Sequence, residues 1–399
     1  MDVLYLHPAG AYGGASKSLI ELYQVLKKYG VRGTVLTPRG SASVAFADAG
    51  MVTEVVPGLS QFDNTRFGHY RGLRWLILLR EFTFFPLSLL AIWRLKGRHF
   101  DVLHANEATL LPLAILAKKL LRMPMVVHIR SLQCEPASNW RTRLFTHWLV
   151  KYADAVIPID HSVARTLDPS LHLNIVHNGF HMADSRDVRK KPRAVGQPVR
   201  VGFMGVLVEL KGIYELIEAI RILRDRGVAI ECVIAGENAR NLSGARAWVL
   251  SALGFARNVS SDLEKLIHRY GLERQVQLLG FMKDVGAVYR TLDILCFPSY
   301  LNAAGRPVFE AAFFEVPSVV AVKDPLPDAV IHGKTGLAIS QPIPELIADA
   351  LQSLAENEEF RVALGRRAKT WAKELFDIEN SASIIMRIYR QFHGERESR

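Results

Sequence analysis

A carboxylate embedded in an apolar stretch is the first group in this sequence that could do chemistry. Residues 307–314 read PVFEAAFF, so a helix that begins at Pro307 would carry apolar side chains on every face and Glu310 in its first turn. We expect that helix to be buried all round. A buried carboxylate without a partner costs several kcal/mol or takes up a proton. Glu310 therefore needs either its own helix N–H groups or a ligand as a partner.

Two glycine-containing turns that lead into helices could hold an anion. In HPAGAYGGASKSL, Gly13 and Gly14 permit a tight turn, and free N–H groups at the start of the following helix favour a phosphate. In VGFMGVLVELKG, Gly205 ends a predicted strand and Lys211 stands at a helix entrance, where it opposes the helix dipole. That position is favourable if Lys211 faces a bound diphosphate, whereas a solvated lysine is the alternative. Neither turn has the spacing of a GxGxxG motif or a P-loop.

Four polar side chains stand at or just after the ends of two predicted strands in the first half. His104 and Asn106 belong to DVLHAN, and His128 and Arg130 belong to MVVHIR. Ligands of open parallel sheets bind at the carboxyl ends of the strands, so these residues are candidates for ligand binding. A single histidine at a strand end is more often structural, but His128 lies at the edge where ligands bind.

Strands and helices alternate in two separate stretches of the chain, which predicts two doubly wound α/β domains. The strands predicted in the first half are residues 3–6, 34–37, 101–104, 125–129, 154–159 and 173–177. After a charged, proline-containing stretch over 183–198, strands resume at 201–205, 229–236, 276–280, 293–299 and 318–322, and two helices follow between 358 and 392. Short apolar strands separated by helices indicate parallel sheets covered on both faces. Residues 183–198 are interpreted as a linker.

Length and composition fit a soluble globular protein of two or three domains. The chain has 399 residues, of which 49% are hydrophobic and 22% are charged. Its start, MDVLYLHPAG, has no basic leader followed by an apolar run, so we predict no secretory signal. Cys134, Cys232 and Cys296 have no paired spacing, which argues against disulfides or a zinc site and fits a reducing cytosol.

Part of the net charge of +11 is concentrated in residues 66–100, which hold seven Arg or Lys against Glu81 alone. The same segment contains LRWLILLREFTFFPLSLLAIW, whose longest uncharged run is 12 residues, too short to cross a bilayer. A basic, aromatic-rich amphipathic segment is typical of a helix that lies on an anionic membrane surface. A pair of core-packing helices with solvated arginines is an equally weighted alternative. Nucleic acid binding is disfavoured because no binding motif accompanies the charge.

Several short motifs, in the expected order, resemble those of retaining GT-B glycosyltransferases of family 4. Gly13-Gly14 is similar to the family's N-terminal glycine pair, VHNGF to its Asn-Gly element, GVLVELKG to its Gly-Arg-Leu-x3-Lys-Gly motif and HGKTGLAI to its Gly-x-Thr-Gly-Leu stretch. PSYLNAAGRPVFEAAFFEVPSVV resembles a Pro-Ser loop followed by two glutamates separated by seven residues, with Glu310 at the second position. The resemblance covers nearly the whole chain and is most specific over residues 200–340.

The resemblance implies a GT-B architecture, in which two Rossmann-like doubly wound domains face each other across a cleft. It implies an N-terminal acceptor-binding domain over 1–182, the linker over 183–198 and a C-terminal nucleotide-sugar-binding domain over 199–375. A C-terminal helix within 376–399 is expected to return to the N-terminal domain.

The resemblance also implies roles for particular residues. Glu310 would bond the ribose hydroxyls of the donor, Lys211 would stabilise the departing diphosphate, and His128 would position or polarise the reacting sugar; these three form the predicted catalytic set. The predicted donor-binding set is Gly13, Gly14, Gly205, Lys211, Asn302, Gly305, Arg306, Val308 and Glu310. The predicted acceptor-side residues are His104, Asn106 and Arg130.

Two positions depart from the family pattern. Asn302 replaces the first glutamate of the pair, which keeps hydrogen bonding but loses the charge. Val206 replaces the arginine of Gly-Arg-Leu, so one diphosphate clamp is missing. Arg306, in the turn before the Glu310 helix, is a candidate to restore that charge, because an arginine can grip a phosphate with two bonds.

The expected function is transfer of a sugar, with retention, from a UDP- or GDP-sugar to a glycan or lipid-linked acceptor, in cell-surface polysaccharide or lipopolysaccharide biosynthesis. The expected location is the cytoplasm, peripheral on the inner face of the cell membrane. No Asp-x-Asp occurs in the sequence, so neither a metal nor another cofactor is expected. Three alternatives stay open: a non-catalytic sugar-nucleotide-binding partner protein, favoured by Val206 and Asn302; a sugar-nucleotide epimerase of the same fold; and a dinucleotide oxidoreductase, disfavoured by the absence of GxGxxG.

Overall fold

The chain folds as two compact units, Met1–His181 with Leu375–Arg399, and Met182–Glu374. The computed structural model describes residues 1–66, 68, 75–134, 140–180, 196–238, 258–282 and 284–397, and the side chains of the last helix as far as residue 392. Most of the linker predicted over 183–198 lies outside these described residues.

The first unit is built on a six-stranded parallel sheet. Its strands are β1 (Asp2–Leu6), β2 (Arg32–Pro38), β3 (Val52–Val56), β4 (Val102–Ala105), β5 (Met125–Ile129) and β6 (Ala155–Pro158), in the order β3-β2-β1-β4-β5-β6. Its helices include α1 (Gly14–Lys28), α2 (Ser41–Asp48), α3 (Ile77–Arg94), α4 (Leu111–Leu121), α5 (Trp140–Tyr152) and α6 (His161–Ala164). Val3, Leu4, Tyr5 and Leu6 are all fully buried, because helices cover both faces of the sheet.

The second unit repeats this plan. Its strands are β7 (Val199–Met204), β8 (Ile230–Ala235), β9 (Val276–Gly280), β10 (Ile294–Phe297), β11 (Ser318–Ala321) and β12 (Gly336–Ile339), in the order β12-β11-β10-β7-β8-β9. Its helices include α7 (Ile213–Asp225), α8 (Val259–Tyr270), α9 (Val285–Tyr289), α10 (Arg306–Phe313), α11 (Pro344–Glu356) and α12 (Glu358–Phe376). The prediction of two doubly wound parallel α/β domains is confirmed.

The last helix, α13 (Ile378–Glu397), belongs to the first unit. Its apolar side chains join the core formed by β1 and α1 through Ile378, Ala382, Ile385 and Tyr389. The chain therefore returns to the N-terminal sheet after it completes the second unit.

Each sheet has one point at which the strand order reverses. In the first unit this point lies between β1 and β4, and in the second it lies between β7 and β10. The connections that leave the two strands of such a pair run in opposite directions, which opens a crevice at their carboxyl ends. Ligands of open α/β sheets bind in that crevice.

Three details of the predicted elements are wrong. Residues 173–177 do not form a strand: they follow β6 with backbone bonds from Asn174 and Val176 but share only an isolated bridge, Val156 with Leu173. The strands β3 and β12 were not predicted, because both lie at sheet edges and carry partly exposed side chains rather than a continuous apolar run. Helix α10 begins at Arg306 rather than Pro307, since proline fits any position of the first turn.

Candidate active site

In the second unit, the loops that follow β7 and β10 lie against each other at the point where the strand order reverses. The loops span 205–212 and 298–305, and the Tyr300 N–H donates to the Leu210 carbonyl at 3.0 Å. Gly212 has φ of 68°, and a Cβ there would collide with a backbone oxygen of the other loop. Only glycine fits this position, which explains why it follows Lys211 directly.

Lys211 places a largely buried cation at the entrance of α7. Its Nζ lies 4.7 Å from the centroid of the Phe297 ring, and burial lowers the pKa of the ammonium. Among the described residues it has no carboxylate partner. The Nζ also lies beside Gly205, whose φ of 136° requires glycine. A cation held by an aromatic face and facing a glycine turn is suited to bind an anion.

Glu310 is buried in α10 and bonded by two side chains. Arg306 Nε donates to its Oε1 at 2.7 Å, and the Tyr289 hydroxyl donates to its Oε2 at 2.9 Å. Burial raises the pKa of Tyr289, and the Glu310 charge adds to that shift. The capping alternative, a carboxylate bonded to its own helix N–H groups, does not describe these contacts. Two carboxylate oxygens offer about four acceptor positions.

Two further members of the predicted donor-binding set, at the start of α10 and in the turn before it, have packing roles. A Cβ at Gly305 would collide with the Phe297 ring, so this glycine is required for packing. Val308 is buried and belongs to the core side of the helix. The Nε of Arg306, which was predicted as a diphosphate clamp, donates to Glu310.

The two departures from the family pattern differ in their structural setting. Asn302 adopts φ of 50°, a left-handed conformation that asparagine tolerates well, and its Oδ1 accepts from the Lys323 N–H at 2.6 Å. Asparagine at this position therefore has a backbone reason. Val206 is 49% exposed, and nothing in the structure explains the valine.

In the first unit, Gly13 and Gly14 border open space at the start of α1. A Cβ at either position would meet nothing within 4 Å, so packing does not require these glycines. The Gly13 N–H donates to Ser16 Oγ at 2.8 Å, which removes one of the N–H groups expected to face a phosphate. The absence of side chains leaves room for a ligand at this helix end.

Arg130 organises the polar side chains at the carboxyl edge of the N-terminal sheet. Its Nε donates to Asn106 Oδ1 at 3.0 Å, its Nη1 to Asn178 Oδ1 at 2.6 Å and its Nη2 to His128 Nδ1 at 3.4 Å. His104, Asn106, His128 and Arg130 are thus brought together at the carboxyl ends of β4 and β5.

His128 is held as a hydrogen-bond donor. Burial, and then the charge of Arg130, lower its pKa well below the ordinary range, so the ring is neutral. A guanidinium can only donate, so Nδ1 must be an acceptor and the ring proton lies on Nε2. That Nε2 is buried and has no hydrogen-bond partner within the described part of the chain. His104 contacts His128 as well. Its Nε2 lies 3.2 Å from His128 Nδ1, and its Nδ1 lies 2.6 Å from the Tyr389 hydroxyl.

The sequence analysis missed His7. It follows β1 directly, is 1% exposed, and lies 2.9 Å from Asn106 through its Nδ1. Its place after the first strand, at the edge already suspected from the neighbouring strands, was the available signal. Glu107 is also buried there, but its carboxylate accepts from the Ala108 N–H at 2.8 Å and from Ser131 Oγ at 2.9 Å, which gives it a structural role.

Helix α3 buries two polar residues together with apolar Ile92, and several of its other apolar residues are exposed. Glu81 and Ser88 are buried and accept hydrogen bonds from the Gln61 and Ser60 N–H groups at 2.7 and 3.0 Å. The exposed apolar residues of this segment include Leu76, Leu79, Phe82, Leu90 and Trp93. A single helix continues through Pro86, and residues 67 and 69–74 of the same segment lie outside the described residues, so the alternative of core-packing helices stays open. No helix among the described residues is both long and apolar enough to span a bilayer.

Comparison with known proteins adds to this geometry. The family descriptions "Glycosyl transferases group 1" and "Glycosyl transferase 4-like domain" match residues 184–371 and 13–171. A D-inositol 3-phosphate glycosyltransferase of Corynebacterium jeikeium is 27% identical over 382 residues, which cover 87% of each chain. Two solved structures are similar in fold. Anabaena Alr3699/HepE in complex with UDP-glucose has a TM-score of 0.69 and 21% identity over all of both chains. A glycosyltransferase from Rickettsia africae has a TM-score of 0.74 and 15% identity over 98% of each chain.

Proposed function

The chain is a member of the group 1 glycosyltransferases and has the GT-B fold, and from this premise we propose that it transfers a sugar, with retention, from a nucleoside-diphosphate sugar to a glycan or lipid-linked acceptor. The observation that carries the proposal is Lys211. Its ammonium is largely buried, has no carboxylate partner among the described residues, and faces a glycine turn where the strand order reverses. A diphosphate is the ligand that would compensate this charge.

A uridine nucleotide is the first donor to consider. The similar Anabaena protein was solved with UDP-glucose, which supports a UDP-sugar, and a GDP-sugar is the second candidate. Glu310 would accept hydrogen bonds from the ribose hydroxyls while Arg306 and Tyr289 hold its two oxygens in place. The first turn of α10 would provide N–H groups to the phosphates.

The transfer step would need little covalent chemistry from the protein. The bond between the sugar carbon and the diphosphate oxygen breaks, and the acceptor hydroxyl forms the new bond on the same face. The acceptor proton passes to the departing diphosphate, whose charge Lys211 stabilises. Catalysis would consist mainly of positioning and electrostatic stabilisation. The Nε2–H of His128 would donate to an oxygen of the sugar, and neither a metal nor another cofactor is part of the proposal.

The acceptor is proposed to be presented at a membrane. The apolar outer face of α3, with Phe82 71% and Trp93 59% exposed, would insert among lipid headgroups, and the surrounding basic residues would attract an anionic surface. This favours a cytoplasmic enzyme bound peripherally to the inner face of the cell membrane and active in cell-surface polysaccharide or lipopolysaccharide biosynthesis.

A thermal-shift screen tests the proposal directly. UDP, GDP and their sugar conjugates are added to the purified chain, and the nucleotide that raises the Tm most is then tested for slow hydrolysis of its sugar. We expect one nucleotide family to stabilise the protein and its sugar conjugate to be cleaved. Stabilisation without any cleavage or transfer would favour the second candidate, a non-catalytic sugar-nucleotide-binding protein, for which the exposed Val206 is the supporting observation. No stabilisation by any nucleotide would contradict both.

A further inference from the structure

We propose that His7 is a second ligand-binding donor at the carboxyl edge of the N-terminal sheet, held by Asn106 and Arg130 in the tautomer whose Nε2–H faces an oxygen atom of the acceptor. This inference rests on the proposed function, in which the first unit holds the acceptor. The ligand chemistry it implies is an oxygen that accepts a hydrogen bond, from either a sugar hydroxyl or a phosphate.

The position of His7 follows from the register of three strands. Leu6 of β1 lies opposite Ala105 of β4, and Ala105 lies opposite Val127 of β5. The next residue of each strand is therefore aligned as well, so His7, Asn106 and His128 form a row across the edge. The first two directly follow β1 and β4, the pair at which the strand order reverses and where ligands of such sheets bind.

The hydrogen bonds leave only one arrangement of protons. Arg130 can only donate, so the Asn106 oxygen faces it and the Asn106 amide nitrogen faces His7. That nitrogen donates one proton to His7 Nδ1 at 2.9 Å and the other to the Ala15 carbonyl at 3.4 Å. His7 Nδ1 is thus an acceptor, and a neutral His7 must carry its proton on Nε2.

The environment keeps His7 neutral and fixes its ring. Burial, and then the charge of Arg130, lower the pKa of His7 to about 3. Phe46 contacts the imidazole edge to face, with ring centroids 5.0 Å apart. The ring therefore cannot gain a second proton near neutral pH or turn freely toward solvent.

The Nε2–H of His7 is buried and has no partner among the residues that the structure describes. His128 Nε2 is in the same condition, and Arg130 fixes both tautomers, directly for His128 and through Asn106 for His7. A buried N–H without an acceptor is unfavourable, so two of them on one sheet edge indicate that an oxygen-bearing ligand completes the site.

Nitrogen NMR of the intact chain labelled with ¹⁵N-histidine tests the inference. The resonances of His7 are assigned by their loss in His7→Gln, a variant whose amide can still donate from nearly the same point. Wild-type protein is titrated with methyl α-D-glucoside, which offers hydroxyl oxygens, and separately with inorganic phosphate. We expect a protonated Nε2, an unprotonated Nδ1, and a shift of the Nε2 signal by at least one probe; the probe that acts identifies the source of the oxygen.

Asn106→Asp supplies a matched variant that should reverse the tautomer. An aspartate accepts from Arg130 and also requires a proton from His7 Nδ1, so the ring proton should move to Nδ1 and the response to the probes should be lost. A proton on Nδ1 in the wild type, or a protonated Nε2 that neither probe shifts, would overturn the inference. UDP titrated into the same samples separates this result from the proposed function. If UDP binds while the His7 signals do not respond, the proposed function stands. If UDP does not bind, the result counts against the function alone.

Discussion

At the scale of single residues, Glu310 is the clearest case of what sequence can and cannot predict. Its burial and its need for a partner follow from the apolar residues around it. Arg306 stands four positions earlier, a spacing at which side chains meet on a helix, so this partner was within reach of the sequence. Tyr289 was not, because only the tertiary fold brings its hydroxyl 2.9 Å from the carboxylate. The partner of His7, Asn106, lies 99 positions away, so the place of His7 directly after the first strand was its only sequence signal.

Glu310→Gln tests the ribose assignment. Loss of a charged hydrogen bond should weaken UDP binding by roughly 1.5–3 kcal/mol, while the variant remains folded. Tyr289→Phe is the matched control, because it removes the hydroxyl bonded to Glu310 and leaves the carboxylate charge; its effect should be smaller. Calorimetric titration gives both values. An affinity equal to wild type in folded Glu310→Gln would exclude a ribose contact.

At the scale of elements, the apolar runs predict most strands within two residues of their observed ends. The exceptions, β3 and β12, are edge strands whose partly exposed residues weaken the signal. The residues of α3 indicate an amphipathic segment, but its orientation could not be predicted. The buried face of the helix contains Glu81 and Ser88, which accept from the Gln61 and Ser60 N–H groups, together with Ile92.

The outer face of α3 should bind vesicles that contain anionic lipid. Wild-type protein is expected to float with such vesicles at low salt, to dissociate at high salt, and to ignore neutral vesicles. Phe82→Ser combined with Trp93→Ser should abolish flotation, because these are the most exposed aromatic residues of the helix. Phe281→Ser, which is 69% exposed in the second unit, is the control and should bind as wild type does. If wild-type protein does not bind anionic vesicles at low salt, the proposal of peripheral membrane binding is wrong.

At the scale of the whole molecule, the first unit contains buried neutral histidines, and we expect acid to destabilise this unit. Burial, and then Arg130, lower the pKa of His7 and of His104 to about 3, and His128 is shifted in the same direction. Below the unfolded value of about 6.5, the unfolded chain takes up protons that the folded unit refuses. Stability is therefore lost as pH falls from 6.5 toward 3. Glu107, whose pKa is raised by burial, acts in the opposite direction but is a single group.

The free energy of unfolding of the first unit, measured with urea at pH 7 and pH 5, checks this behaviour. Each of His7 and His104 should contribute a loss of roughly 1.4 kcal/mol per pH unit below its unfolded pKa. His7→Gln cannot titrate and should reduce the pH dependence, whereas His268→Gln, at an exposed position of the second unit, should not. Equal stability at the two pH values would mean that these rings are not held neutral.

The central claim is that Lys211 binds the diphosphate of a sugar nucleotide without a metal. Calorimetric titration of UDP in the presence of EDTA into wild type, Lys211→Ala and Lys265→Ala tests it most directly, since Lys265 is an exposed lysine of α8 in the same unit. We predict binding to wild type and to Lys265→Ala, and a loss of about tenfold or more in Lys211→Ala, as expected for a charge-assisted bond in a buried site. Lys211→Ala that binds UDP as tightly as wild type, or wild type that binds only after a divalent metal is restored, would contradict the account.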